Sequence, residues 1–295
     1  MNVKVMVCYH RNTPRFRSDV LFPIHVGRAL ASEEAKAAMA DMPGDDTGDN
    51  ISAKNGSYCE LTAIYWAWKN PALLGNPDYI GLCHYRRLLG VSPTLGMYVP
   101  GSPILGLRSP IGRGLRTTAR LLVRCSVRAD ALLGTSFAVR KLTNKSTAAI
   151  RDACGRYDVV LPTAWRQNIS RYDFWKANGI ESDLVTTLDV VAERYPDMRQ
   201  HFETTVYSNS GHYQNVSVMR ADLWNEYAAW LFDVLYEVER RIGQDVQKRD
   251  AQRRRAYGYI GEYLTDIWLS YKKSSDSSLS VGELPLFFLS GVGGI

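Results

Sequence analysis

Residues 79–84, Tyr-Ile-Gly-Leu-Cys-His, show no polar alternation. A strand with one wet face alternates apolar and polar residues. A run without alternation predicts a strand covered on both faces, as at the centre of a parallel sheet. Such a sheet needs a layer on each side, so this run points to an α/β architecture. It empties into His84-Tyr85-Arg86-Arg87, and open α/β sheets place ligands at strand ends of this kind. Arginine suits phosphate there, because its planar fork makes paired charge-assisted hydrogen bonds.

The rest of the chain keeps an α/β rhythm. Residues 3–8 (VKVMVC) predict a first buried strand that leads into Tyr9-His10. Phe22–Leu30 reads as a loop with a short strand or helix start, ahead of helix-prone residues 31–40. Met42–Asn50 is turn chemistry. Ser57 and Glu60 have the S-x-x-E spacing of a capping box. They precede a helix with Leu61, Ile64, Tyr65 and Trp68 on one face, ended by Asn70-Pro71. Tyr157–Leu161 predicts a second covered strand, stopped by Pro162. Long helices are expected over 221–242 and about 256–271. The last 20 residues, rich in Ser and Gly, are expected to be peripheral, with Leu284–Leu289 able to dock on the body.

Segment 91–147 breaks this rhythm. The net charge is +6, yet residues 100–150 hold seven Arg and two Lys against Asp130 alone, giving +8 there and leaving −2 elsewhere. At ~100° per residue, Arg113, Arg116, Arg120, Arg124 and Arg128 fall within roughly one third of a helix circumference. Leu115, Leu122, Ala129 and Leu133 lie opposite. That is a basic amphipathic helix of the kind that lies on anionic membrane surfaces. The alternative is a helix docked on its own domain with a solvated Arg face. Nucleic-acid binding is disfavoured, because these cations lack interleaved aromatics. With no leader pattern and no long apolar run, a cytoplasmic location is expected. The five scattered cysteines, without a CxxC pair, agree with it. The 17 Tyr and 7 Trp are mostly core candidates, although sugar-handling sites also use such rings as platforms.

The motifs of nucleotide-binding glycine loops, zincins and nucleophile elbows are missing, which argues against hydride transfer, P-loop hydrolysis and common hydrolase triads. What remains is polar residues at strand ends and turns: His10, Asp45, Asp46, Asp49, Asn50, Lys54, Asn55, His84, Arg86 and Arg87. The acidic turn reads equally as turn formers alone, Glu60 as a cap, and His84 as a satisfied core histidine. Two arginines at a buried strand exit weigh against that last reading, since gathering cations there is costly without an anion. Glu262 and Asp266 stack one helical turn apart. Either the pair is solvated surface, or one carboxyl faces a cleft with its pKa raised for general-base work. His212, just ahead of Gln214-Asn215, is a rival.

These residues match a known pattern. GDNIS-x-KN-x-x-YCELT-x-x-YW-x-WKN (Gly48–Asn70) followed by Y-x-GL-x-HYRR (Tyr79–Arg87) resembles a bacterial domain family of capsular polysaccharide and O-antigen gene clusters. That family was long called a domain of unknown function and includes galactofuranosyltransferases. YDVVLP at 157–162, the stretch around Asn215 and RAYGYIGEYLTDIWL at 255–269 extend the match.

The resemblance implies a GT-A-like single domain, with a mainly parallel central sheet flanked by helices and a basic helical insert. Residues 1–90 would be the nucleotide-sugar half, 91–147 the insert and 148–295 the acceptor half. It implies transfer of a hexosyl group, expected to be galactofuranosyl, from a UDP-sugar to a lipid-linked glycan with inversion, at the inner face of the cytoplasmic membrane. His10, Asp49, Asn50, Lys54, Asn55, His84, Arg86 and Arg87 carry over as donor-site residues, and Glu262 as the acid of the late helix, preferred over Asp266 as base. His212 and Asn215 join as substrate-binding candidates. Glu262-Tyr263 stands where the family usually has Glu-Arg, which leaves the acceptor side open. No Asp-x-Asp metal pair occurs. Either Arg86 and Arg87 neutralise the diphosphate without metal, or Asp45, Asp46 or Asp49 with His84 completes a Mn²⁺ or Mg²⁺ site. A pyranosyltransferase and a non-catalytic glycan- or nucleotide-binding partner are the alternatives.

Overall fold

The computed structural model describes residues 1–91 and 135–288, with side chains from 139 onward in the second stretch. Strand β1 (Val3–Tyr9) is followed by β2 (Leu21–His25), the short helices α1 (Glu33–Ala38) and α2 (Asn55–Tyr58), and α3 (Leu61–Lys69). The run without alternation forms β3 (Tyr79–His84), from which β4 (Arg87–Leu89) turns back. After α4 (Thr135–Cys154) come β5 (Val159–Pro162), β6 (Trp165–Arg166), α5 (Arg171–Asn178), α6 (Glu181–Arg194), α7 (Arg199–Tyr207) and β7 (Ser210–Gly211). β8 (Ser217–Arg220) leads into α8 (Ala221–Lys248), α9 (Ala256–Ser275), β9 (Val281–Leu284) and β10 (Leu286–Phe288).

The main sheet has the order β2-β1-β3-β8-β5-β9, with β4 and β10 extending it beyond the end of β3. Six of the eight strands of this sheet share one direction, while β8 and β4 run against them. The central strand β3 therefore has a parallel partner on one side, β1, and an antiparallel one on the other, β8. Gly81 permits the close approach of β8. A Cβ there would stand 2.6 Å from the Ser217 carbonyl oxygen and 2.7 Å from Val218 Cγ2.

Both faces of β3 are covered, as its pattern requires. Ile80 and Leu82 join a core with Trp66 of α3, Trp224 and Leu231 of α8, and Ile260 and Trp268 of α9. Cys83 faces the opposite layer, where Val5 and Val7 of β1 meet Leu142, Ile150 and Ala153 of α4. Each large side chain fully buried this way contributes roughly 1.5–3 kcal/mol, so the sheet is held from both sides. The mixed α/β class expected from the sequence is the class observed.

Several local expectations change. The helix expected from Ser57 onward is broken at Cys59, whose φ of 52° lies in the left-handed region. Ser57 Oγ turns back to donate to the Lys54 carbonyl (3.2 Å), and Glu60 occupies the N-cap position of α3 without a capping bond. The capping box is thus absent, because the kink separates its two members. The C-terminal segment is not peripheral: β9 pairs in parallel with β5, and β10 runs antiparallel to β4. Asp158 pins the start of β9 through Ser280 N (2.9 Å) and Oγ (2.6 Å). Position 147, the expected end of the insert, falls inside α4, which belongs to the body through buried Ile150 and Ala153 and a 2.6 Å bond from Ser146 Oγ to the Leu89 carbonyl. Arg113, Arg116, Arg120, Arg124 and Arg128 lie outside the described residues. Among the described residues no helix is long and apolar enough to cross a membrane.

Candidate active site

The register of the sheet decides which side chains meet. Cys8 of β1 is level with His84 of β3, so His10 arrives beside Tyr85, ring edge against ring face at 5.4 Å. His84 Nε2 lies 2.8 Å from the Gln214 carbonyl oxygen, to which its N–H donates, and 3.9 Å from Glu60 Oε1. Burial, helped by Arg87, holds His84 below the usual histidine range. Burial with Arg11 and Arg86 pulls His10 down to about 4. Both imidazoles are therefore neutral near pH 7 and leave the positive charge to arginines. Arg86 is exposed and lies over the Tyr85 ring, and Arg87 is half-buried facing Glu60 and Glu262.

Across from this strand end, Gln214 (φ 76°) and Asn215 (φ 52°) are consecutive left-handed residues just before β8. Such backbone costs about 1 kcal/mol or more per residue and persists only where the surroundings fix it. Asn215 is buried, and its Nδ2 donates to Glu60 Oε1 (2.8 Å) and to the Gly258 carbonyl (3.0 Å). One amide thus ties the start of α3 to the first turn of α9. A Cβ at Gly261 would stand 2.9 Å from Asn215 Oδ1. Among the described residues no donor reaches Asn215 Oδ1 or Gln214 Oε1, although both oxygens are buried.

In the second turn of α9, Glu262 meets the same loop, its carboxyl approached by the Gln214 backbone N–H. Burial and the neighbouring Glu60 carboxylate push Glu262 up to about 8, against the pull of Arg87, the Gln214 amide and Arg171. Arg255, in the turn before α9, donates from Nε to Cys59 Sγ at 3.2 Å. Among the described residues, no carboxylate lies within 4 Å of Arg86, Arg87 or Arg255. The arrangement offers a cationic rim for an anion beside a carboxyl whose proton affinity suits general-base work near neutral pH.

Asp266, four residues further along, is differently placed. It is paired with the fully buried Arg171 guanidinium, accepts from His212 N at 2.9 Å, and lies 2.5 Å from His212 Nδ1. Burial alone would raise Asp266, but His212 and Arg171 hold it below the ordinary carboxylate range. The second His212 nitrogen is 3.2 Å from Glu283 of β9. Burial opposes His212 protonation, yet its two carboxylate partners raise it above the usual value. Neither Glu262 nor Asp266 sits on a solvated helix face. His212 belongs to this ion-paired set.

The other expected donor-site and metal candidates lie in the turn before α2 and at its first residue, and make other contacts. Asp45, fully buried, accepts from Gly27 N (2.9 Å), Arg28 N (3.2 Å), Ser52 Oγ (2.5 Å) and Thr62 Oγ1 (2.6 Å). Asp46 pairs with Arg28 at 2.8 Å. Asp49 accepts from Tyr65 OH (3.1 Å) and meets Asn70 at the far end of α3, while Asn50 Nδ2 donates to the Gly48 carbonyl (2.9 Å). Lys54 pairs with Glu239 at 2.6 Å, and Asn55 Nδ2 ties the α2–α3 kink through the Cys59 carbonyl at 2.7 Å. None of the three aspartates joins His84, and among the described residues no group of three or more His, Cys, Asp and Glu could hold a metal ion. The described donor set therefore does not fit the metal imagined from the acidic turn. Glu60 and Arg255 are the residues that sequence reasoning missed. Both stand in the matched motifs, but S-x-x-E spacing looks the same for a cap and for a site carboxylate until Cys59 is known to break the helix.

The family described as a domain of unknown function (DUF4422) matches residues 4–273. No curated protein matches the sequence. Among solved structures, the chain is similar to the apo structure of the WbbM bifunctional glycosyltransferase, with TM-score 0.72 and 27% identity. The match covers 99% of this chain and 46% of that one, so the chain spans about half its length. The sheet and flanking helices accordingly match a GT-A-like fold.

Proposed function

The chain belongs to the DUF4422 family, and on that premise we propose that it is a glycosyltransferase of polysaccharide synthesis. The observation that carries this reading is the end of β3, where Arg87 faces Glu60 and Glu262 with Arg86 and Arg255 beside it, next to a Glu262 carboxyl whose burial and Glu60 neighbour push it up to about 8. The donor is a UDP-sugar whose diphosphate meets the arginine rim. The acceptor hydroxyl gives its proton to Glu262 as its oxygen attacks the anomeric carbon. The bond from that carbon to the diphosphate oxygen breaks in line, UDP departs with the electron pair, and the configuration inverts. Preorganised cations facing the charge that develops on the leaving group stabilise the transition state.

The finer choices, a galactofuranosyl donor and a lipid-linked acceptor in capsular or O-antigen assembly, rest on the resemblance of the motifs. The similarity to a bifunctional glycosyltransferase supports the class alone. We read the rim as a substitute for a metal, because the aspartates of the acidic turn are committed to structural hydrogen bonds. Titration with UDP followed by UDP release across donor sugars tests the reading, with EDTA in a parallel reaction. Micromolar UDP binding and donor-dependent release are expected, unchanged by EDTA. No UDP binding would remove the transferase; release abolished by EDTA and restored by Mn²⁺ would remove only its metal independence.

A further inference from the structure

Away from the arginine rim, an aromatic surface begins one residue from the Glu262 contact. The two-residue strands β6 and β7 pair Trp165 with Gly211, and Tyr213 follows two positions later. The Trp165 and Tyr213 rings meet edge to face at 5.8 Å, and Phe174 adds a third ring 6.3 Å from Tyr213. Trp165 is 42% exposed, so a large apolar face is left in water on an element too short to need it for the core. Its base is rigid. The buried Arg171 guanidinium lies 5.1 Å from the Tyr213 ring and 4.3 Å from that of Tyr263, and Gln167 Nε2 donates to Tyr213 OH at 2.6 Å.

Continuity with the candidate active site says what this surface is for. Tyr213, Gln214 and Asn215 are consecutive. The first carries the ledge, the backbone N–H of the second meets Glu262, and the side chain of the third holds Glu60. Gln214 also brings a buried side-chain carbonyl with no donor among the described residues. Exposed aromatic faces beside a few fixed polar groups are the usual makeup of a small-molecule site. A hexose fits both halves, with a C–H face for the rings and hydroxyls for a waiting acceptor. We propose that the Trp165–Tyr213 ledge is the acceptor subsite, binding the neutral sugar ring whose hydroxyl is presented to Glu262. This rests on the glycosyltransferase reading and gives it an acceptor class, a neutral glycan.

Saturation-transfer NMR tests it without turnover. The probes are methyl β-D-galactopyranoside, methyl α-D-glucopyranoside and methyl α-L-rhamnopyranoside, each with the full chain in the presence of UDP, whose own affinity is measured on the same samples. Ring protons of at least one glycoside should be saturated by the wild type. Saturation should fall by about fivefold or more in Trp165→Ala, the loss expected for a binding hot-spot aromatic, and should persist in Trp165→Phe, with UDP affinity unchanged in both. No saturation in the wild type, or equal saturation in Trp165→Ala, overturns the ledge. UDP binding without glycoside binding removes the ledge alone. Glycoside binding that depends on Trp165, in a protein that ignores UDP, keeps the ledge and removes the transferase.

Discussion

Helix α9 carries two carboxyls one turn apart, and their surroundings drive them in opposite directions. Asp266 has a buried guanidinium, a backbone amide and an imidazole, and is held ionised. Glu262 shares its space with a second carboxylate and has arginine near but not bonded, so it keeps its proton to about pH 8. Same helix, same residue class, opposite proton affinity. The difference lies in partnering: a completed ion-pair set is scaffold, whereas an incomplete one keeps free valence for a substrate.

The strongest way to break this comparison is to exchange the consequences. Glu262→Gln should lower turnover by about 10²–10⁴, the usual worth of a positioned acid or base, with UDP affinity kept within a factor of two or three; near-normal UDP release would move the role elsewhere. Asp266→Ala should leave the buried Arg171 charge unpaired and cost about 3–5 kcal/mol of stability, read from the denaturant midpoint. If it damages turnover and spares stability, the assignment of the two carboxyls is reversed.

Subtler changes sharpen the contrast. Ionised Glu262 is the active form, so turnover should fall as pH drops below about 8. Glu60→Gln removes a negative neighbour and should move that limb down by about one pH unit; an unmoved limb would mean the two carboxyls do not communicate. Stability follows the same signs. A raised carboxyl stabilises below its unfolded pKa, and that contribution is lost as pH rises through about 8. Glu262→Gln should therefore melt higher than the wild type at pH 9, by about 2–4 °C per kcal/mol recovered. For the scaffold set, His212 is raised, so its contribution is complete below the ordinary histidine pKa and fades as pH climbs through its folded value. Asp266 is lowered, and its contribution fades as pH falls through its own. His212→Phe should flatten the alkaline side of the melting curve, the smallest effect of the set.

Much of this was legible in the sequence where periodicity or composition carries the signal. The covered β3, its arginine exit and the long helices α8 and α9 follow from residue patterns alone. Glu60 was hidden because helix caps and site carboxylates share a spacing, and only the left-handed Cys59 separates them. The fate of Asp266 was hidden because Arg171 is 95 positions away in the chain. Nothing local announces a pairing of that range. Segment 281–288 was only partly legible: the docking of Leu284–Leu289 was foreseen, but Ser- and Gly-rich surroundings look like a tail, and its strands are defined by partners far upstream, β5 and β4.

Those two strands also set an order of events. Glu283 reaches His212, and Phe288 lies beneath the Arg87 guanidinium at 6.0 Å. A chain emerging from the ribosome has made every arginine of the rim and both α9 carboxyls before either strand exists. Because the contacts that finish the site span much of the polypeptide, they close late. The arginine rim and the α9 carboxyls are therefore steadied only once segment 281–288 has paired with β5 and β4, a step that sets when the site becomes competent rather than what it holds.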